Sequence, residues 1–260
     1  MIKKFLLIVT AIAGINSLSS TAKADVLDLP DFKSGKPVWI VRAGVSFNNA
    51  AGKWKEDTKD AWQSLHKNFS LDAAFPTSTG YDFSVAFNKS FGNHPVYWGM
   101  ELAFGTRGYK ANAEWDYGKM SSFGDYLAHN IKNNTTLTAY NVKYAPFIIG
   151  YKYTFLERMA VDVHAGAFLS YDFAGKSKYY VYDYQLSSNK PRVSESTTET
   201  NISDIKDYQA LDAGMTLGVG YWFGHFNLDF TWQRGFVNMV KDSDSSMQAQ
   251  SFILSLGYAF

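Results

Sequence analysis

The chain has 260 residues, with 25 Lys and Arg against 24 Asp and Glu, no cysteine, and 20 Phe, 17 Tyr and 7 Trp, yet its mean hydropathy is only -0.21. The near-balanced charge argues against a nucleic-acid binder, and a hydrophobic fraction of 46% excludes a mainly disordered chain. The lack of cysteine excludes disulfides, thiolate-held metals and a thiol nucleophile.

Residues 1–24 read as an export address. Lys3 and Lys4 form a basic start, an apolar run from Phe5 to Ile15 follows, and Ala22-Lys23-Ala24 is a small-x-small cleavage site. The apolar run is too short for a membrane-spanning helix, which takes about 20 residues. Removing this segment tips the charge slightly to the acidic side. Residues 25–36 then form a short periplasmic segment, and 37–260 the folded domain.

Downstream, eight segments alternate apolar and polar residues, the period of a strand with two different faces. Segment 38–47 sets Trp39, Val41, Ala43, Val45 and Phe47 against Arg42, Gly44 and Ser46. Segment 81–91 sets Tyr81, Phe83, Val85 and Phe87 against Asp82, Ser84, Ala86 and Asn88, with Lys89 on the apolar side near the end. Segment 96–109 carries Trp98, Met100, Leu102 and Phe104 opposite Gly99, Glu101, Ala103, Gly105 and Arg107. Segment 137–155 carries Tyr140, Val142 and Tyr144 opposite Asn141 and Lys143, and its parity blurs at Pro146, which cannot donate to a ladder and predicts a bulge.

Segment 160–173 places Val161, Val163, Ala165, Ala167, Leu169 and Tyr171 opposite Asp162, His164, Gly166, Ser170 and Asp172. Segments 208–222 and 225–236 continue the pattern, with Asp212 and Asp229 on their polar faces. The last, 250–260, ends Phe252-x-Leu254-x-Leu256-x-Tyr258-x-Phe260. The connections alternate as strictly as the residues. Those at 92–95, 156–159 and 223–225 are short, whereas 48–80, 110–136, 174–207 and 237–249 are long. Short turns on one side and long loops on the other are the asymmetry of a transmembrane β-barrel. The predicted fold is all-β: an eight-stranded antiparallel up-and-down transmembrane barrel with both termini periplasmic and four long outer loops. Within 48–80, Trp54, Trp62, Leu65 and Phe69 at near-helical spacing predict an amphipathic helix on or over the barrel mouth. A second helix is expected in 124–131.

The terminal Phe260 after alternating apolar positions looks like the signal read by the barrel-assembly machinery of bacterial outer membranes. The segment from Tyr144 through Pro146 to Tyr153 resembles the Pro-centred strand of the PorT-like outer-membrane β-barrel family. So do Ala165 to Leu169, Leu211 to Gly214, Leu217 to Tyr221, Thr231 to Phe236 and Leu256 to Phe260, so that the resemblance covers 137–260. It implies an eight-stranded outer-membrane barrel of the kind often labelled porin-like.

A barrel of eight strands has an interior that side chains fill. The inward positions include Arg42, Arg107 and Lys143 of one sign and Glu101, Asp162, Asp172, Asp212 and Asp229 of the other, with His164. Unpaired charges in a narrow lumen are costly, so an ion-pair network plugging it is expected; the alternative is a narrow gated channel lined by the same residues. A lipid-modifying barrel enzyme is the less favoured reading. Its candidates are Ser64 with His66 and His129 with Asp125, but no elbow motif or ordered triad accompanies them. No metal-ligand pattern is present and no cofactor is expected. Tyr180, Tyr182 and Tyr184 share one face and read either as an upper aromatic girdle or as a surface recognition platform for sugar or protein. The expected partners are outer-membrane lipid, the assembly machinery and an extracellular ligand at the long loops. The expected role is surface binding or envelope structure, in a monomer.

Overall fold

The computed structural model describes residues 28–30, 35–65, 67–120, 126–187, 190–241 and 245–260. The export segment 1–24 lies outside them. Each alternating run becomes a strand: β1 (Val38–Ala51), β3 (Ser78–Ser90), β4 (Val96–Met120), β5 (Tyr126–Leu156), β6 (Met159–Ser187), β8 (Leu211–Phe223), β9 (Phe226–Asn238) and β10 (Gln248–Ala259). Between β1 and β3 lie α1 (Trp54–Leu65) and β2 (Ser70–Ala74), and between β6 and β8 lies β7 (Lys190–Asn201). The pairing runs β1–β3–β4–β5–β6–β8–β9–β10 and closes from β10 back to β1, antiparallel throughout. The result is an eight-stranded barrel.

Alternation decides which face meets what. Leu102, Leu169 and Leu256 are 55%, 57% and 59% exposed on the outer wall, whereas Ser46, Ser84, Asp162 and Asn227 are buried inside. A soluble barrel has the opposite polarity, so the medium outside this wall is lipid. Near the short turns the outer face carries Trp39, Phe87, Trp98 and Tyr151; near the far ends it carries Phe47, Phe104, Tyr140 and Phe173. Val85, Leu102, Leu217 and Leu254 lie between these aromatic zones. Lys89 faces outward beside Trp98, one residue pair from the short turn, where its stem can reach the interface. The short turns at 91–95 and 224–225 reverse on Gly92 (φ 61) and Gly224 (φ 55), a backbone conformation that costs glycine nothing.

Pro146 does break the ladder: the β5–β6 register shifts between Tyr144 and Phe147. Outward positions are even before it (Tyr140, Val142, Tyr144) and odd after it (Phe147, Ile149, Tyr151). A second shift, between Tyr140 and Asn141 against Ala174 and Asp172, adds a residue to β6.

Two expected loops are strands. A membrane crossing takes about 9–11 tilted residues, but β4, β5 and β6 have 25, 31 and 29. At roughly 3.3 Å per residue β5 is about 100 Å long. Residues 110–120, 126–136, 174–187 and 190–201 therefore form paired strands standing above the barrel; of the helix expected in 124–131 the part from Tyr126 onward is strand, and Gly124 and Asp125 lie outside the described residues. Their Thr-, Tyr- and Asn-rich runs have good strand propensity but no continuous apolar face to announce it. β2 pairs with β4 and β7 with β6, completing an extension of five strands.

The helix α1 forms as expected and lies over the mouth. Trp54 is buried, its indole N–H donates to the Ala50 carbonyl (3.0 Å), and its ring meets Phe75 and Tyr109. Trp62 stacks on Phe75 and crosses Trp115. Leu65, by contrast, is 67% exposed past the edge of this cap, and Phe69 lies after the helix, against Tyr117 and His129.

Replacing Leu217 by Arg in the middle of the lipid-facing wall should lower the unfolding free energy in bilayers by about 2–4 kcal/mol. Urea titration followed by the heat-dependent shift in gel migration checks it; an unchanged midpoint would contradict an outward, lipid-facing position.

Candidate functional site

The lumen is filled in layers. At the short-turn end, Val38, Ile40, Ala86, Ala160, Trp222 and Ala259 pack into an apolar floor. Above it Arg42 reaches from β1 in two directions, donating Nε to Asn227 on β9 (3.0 Å) and Nη1 to Glu101 on β4 (2.9 Å). Lys143 on β5 binds Asp82 at 3.3 Å and stands 4.0 Å from Glu101. Asp162 on β6 accepts from the Tyr97 hydroxyl (3.1 Å) and the Trp222 indole, and its Oδ1 lies 3.0 Å from His164 Nδ1. The other ring nitrogen of His164 stands 3.8 Å from Asp229. Lys152 lies over the face of Trp222, 3.5 Å from the ring centre, a desolvated cation–π contact.

A second charged layer lies higher. Arg107 crosses from β4, its Nη2 2.8 Å from Asp172 on β6 and its Nη1 2.7 Å from Asp212 on β8. Tyr208, from the segment before β8, donates its hydroxyl to Asp172. Above this, Ala50, Trp54, Leu137, Ile202, Met239 and Met247 form an apolar cap with α1. The cap is pinned by Ser246, which accepts from Lys53 N on its hydroxyl (3.0 Å) and from Trp54 N on its carbonyl (3.2 Å). Between the charged layers a void of about 30 Å³, bordered by Lys143, Phe168 and Gln233, has room for about two waters. A further hollow of about 670 Å³, lined by Ile149, Ala165, Leu217 and Phe230, is on the lipid-facing wall.

All nine charged and titratable residues singled out in the sequence lie in the lumen, in three groups: Arg42–Glu101–Lys143, Asp162–His164–Asp229 and Arg107–Asp172–Asp212. Asp82, Tyr97, Lys152, Trp222 and Tyr208 complete the groups and were missed. Lys152 is the instructive case. Without the Pro146 shift, even positions on β5 face lipid, and Lys152 with them; carrying the bulge through the count places it inside. Tyr97 was legible from the parity of Gly99 and Glu101.

Asp162, His164 and Asp229 offer ligand atoms within 4.8 Å of one another. Asp162 accepts from Tyr97, Trp222 and the His164 ring, whereas Asp229 Oδ2 is buried without a hydrogen-bond partner and stands 3.8 Å from His164 Nε2. A metal ion there would have to displace the contacts to Asp162. For nucleophilic chemistry, His129 Nε2 pairs with Asp183 at 2.7 Å, and Ser64 Oγ bonds the Ala61 carbonyl; His66 and Asp125 lie outside the described residues. Among the described residues His129 meets Asp183, Gln185 and the Phe69 ring, none of which offers a hydroxyl or thiol nucleophile, and the triad geometry is not assembled there.

Outside the lumen, Tyr180, Tyr182 and Tyr184 stand in one row on the outer face of the β4–β7 extension, opposite Asn134, Lys132 and Asn130 of β5. Together with Asn130 and Lys132 they line a depression of about 430 Å³. Lys132 binds Glu114 at 2.7 Å, and Asn130 donates to Glu114 (2.8 Å) and Asp116. The hydrogen bonds from Lys132 and Asn130 hold the Glu114 carboxyl below its ordinary range. At the chain's other end Phe252, Leu254, Leu256 and Tyr258 face outward, and Phe260 packs edge-on against Tyr258.

A closed eight-stranded ring with an apolar outer wall and a polar, filled interior defines an integral β-barrel membrane protein. The chain belongs to the outer membrane protein beta-barrel domain family, whose profile matches residues 36–241, and it is an outer-membrane protein. Among solved structures it is similar to Ail, the attachment invasion locus protein of Yersinia pestis (12% identity, 86% of this chain and 99% of that one, TM-score 0.30). It is also similar to Neisserial surface protein A (9%, 85% and 97%, TM-score 0.30) and to an outer membrane channel from Pseudomonas putida F1 (11%, 93% and 100%, TM-score 0.24). These likenesses carry no functional weight. No curated protein matches the chain.

Replacing Arg107 by Met should destabilise the barrel by about 3–5 kcal/mol, because it strands two buried carboxylates. Adding Asp172→Asn and Asp212→Asn should recover much of the loss, measured by thermal unfolding in micelles; equal stability of the single variant and the parent would show that the pairs contribute nothing.

Proposed function

We propose that this protein is a non-conducting outer-membrane barrel of the PorT-like kind that holds a rigid β-sheet extension outside the cell as a recognition surface. The observation that carries the reading is the length of β4, β5 and β6, which continue as a paired sheet far beyond what a membrane crossing takes. A barrel serving only as an envelope strut has no use for it. The lumen supports the same reading. An apolar floor, two ion-paired layers and an aromatic cap stand in series along its axis. Solute passage would require all four to open.

In this reading residues 1–24 are removed on export, 25–36 remain periplasmic, the short turns face the periplasm, and the terminal segment ending at Phe260 is the assembly signal. The chain carries out no catalysis; its ligand binds the extension.

The absence of cysteine makes the orientation directly testable. A membrane-impermeant maleimide should label Ser194→Cys in β7 on intact cells, and Asn93→Cys in a short turn only after permeabilisation. The reverse pattern would overturn the outward placement. In planar bilayers the pure protein should give no single-channel steps; steady unitary conductance would favour the narrow channel instead.

A further inference from the structure

The outer face of the extension is the upward continuation of the lipid-facing wall. On β5 the outward parity runs unbroken from Tyr140 to Asn134, Lys132 and Asn130, and the cross-strand partners of the last three are Tyr180, Tyr182 and Tyr184. Six residues separate Asn134 from Tyr140, about 20 Å of strand, so the tyrosine row stands well above the aromatic zone that ends near Tyr140. Whatever lies beside it is neither acyl chain nor lipid headgroup.

The chemistry of this face is specific. Three phenol rings at alternate positions are half-buried and present a ladder of flat apolar surfaces. Next to them, Asn130 and Lys132 are held in place by Glu114 and Asp116 on β4, and Glu195 on β7 pairs across from Tyr182. Ring faces suit the C–H faces of pyranoses, and the amide, ammonium and carboxylates offer both donors and acceptors to hydroxyls. Beside the row Glu114, Asp116 and Glu195 stand with Lys132, and just below it Lys176 and Lys178 pair with Glu199; the charges are mixed and paired, so no cationic patch selects a phosphate-rich or sulfated ligand.

We propose that the Tyr180–Tyr182–Tyr184 face binds the neutral sugar chain of the lipopolysaccharide that surrounds the barrel. This rests on the outward placement proposed above, and it commits to the neighbouring glycolipid because the face adjoins the membrane laterally. The sheet would thereby be braced against the carbohydrate layer through which it projects.

The test uses the full-length protein in nanodiscs, titrated calorimetrically with delipidated oligosaccharide from the producing strain's lipopolysaccharide, and in a parallel arm with sugar-free lipid A in detergent. The oligosaccharide should bind saturably, and lipid A should not compete. Replacing Tyr180, Tyr182 and Tyr184 together by Ala should weaken binding by about tenfold or more, the effect of removing aromatic anchors from a binding face. Tyr179→Ala, on the opposite face, should leave it unchanged, and heat-modifiable migration shows that both variants fold. Equal binding by the triple variant, binding to lipid A alone, or no oligosaccharide binding overturns the proposal. If intact cells still label at Ser194→Cys while the oligosaccharide fails to bind, the sugar assignment falls and the outward recognition sheet stands, with a protein ligand in its place.

Discussion

Inside a bilayer no backbone N–H or C=O can be left to water, and every other feature of this molecule follows from that constraint. The ring must close, which β10 and β1 do over twelve consecutive residue pairs from Ile40–Ala259 to Ala51–Gln248. Closure with eight strands fixes a narrow interior, so inward positions are small or are drawn into contact across the lumen. Only above the membrane does the sheet have free edges. There β2 has five residues, and β7 carries Lys190, Pro191, Arg192, Glu195 and Glu199, residues that discourage another strand from joining.

The polar interior is the counterpart of the apolar wall. Arg42, Lys143 and Lys152 confront Asp82, Glu101, Asp162 and Asp229 in the lower layer, with His164 standing between Asp162 and Asp229. Arg107 alone spans two carboxylates above. Each cation belongs to a different strand from its partners, and the Arg42–Glu101, Lys143–Asp82 and Arg107–Asp212 pairs act as cross-braces between strands that are not neighbours in the ring. Such buried pairs add little net stability over an apolar filling. Their effect is on register, because a one-residue slip would turn Arg42, Arg107 or Asp162 into lipid.

How much of this was legible depended on whether a strand faced two different media. Where lipid lay outside and a polar lumen inside, alternation was written plainly, as in Val161 to Asp172 or Phe252 to Phe260. Above the membrane both faces of a strand meet water or the cap, and runs such as 133–136 and 194–200 lose the apolar signal while keeping Thr and its strand propensity. They read as loops for that reason. Lys152 was lost to a single residue of phase at Pro146. The cap was legible only as a helix: Trp54 and Trp62 have helical spacing, but their partners Phe75, Tyr109, Trp115 and Met247 come from segments far apart in the chain.

The same parity argument sharpens what the tyrosine row is. Within the membrane an outward aromatic is explained by lipid or by the interface, and on β5 that explanation ends near Tyr140. Higher up, the outward positions of β4 and β5 turn to Asn112, Glu114, Asp116, Lys132 and Asn134, as a water-facing wall should. β6 keeps Tyr180, Tyr182 and Tyr184 on that wall. A girdle would run around the barrel through several strands at one height, whereas this row runs along a single strand through three heights. Neither bilayer nor cap accounts for it, because the cap packs on the opposite face through Ala111, Ala113 and Trp115. The aromatic excess that marks the whole composition thus divides into rings placed for lipid, rings placed to seal the mouth, and three rings on the outer face of the extension, above the membrane, where the proposed recognition surface would use them.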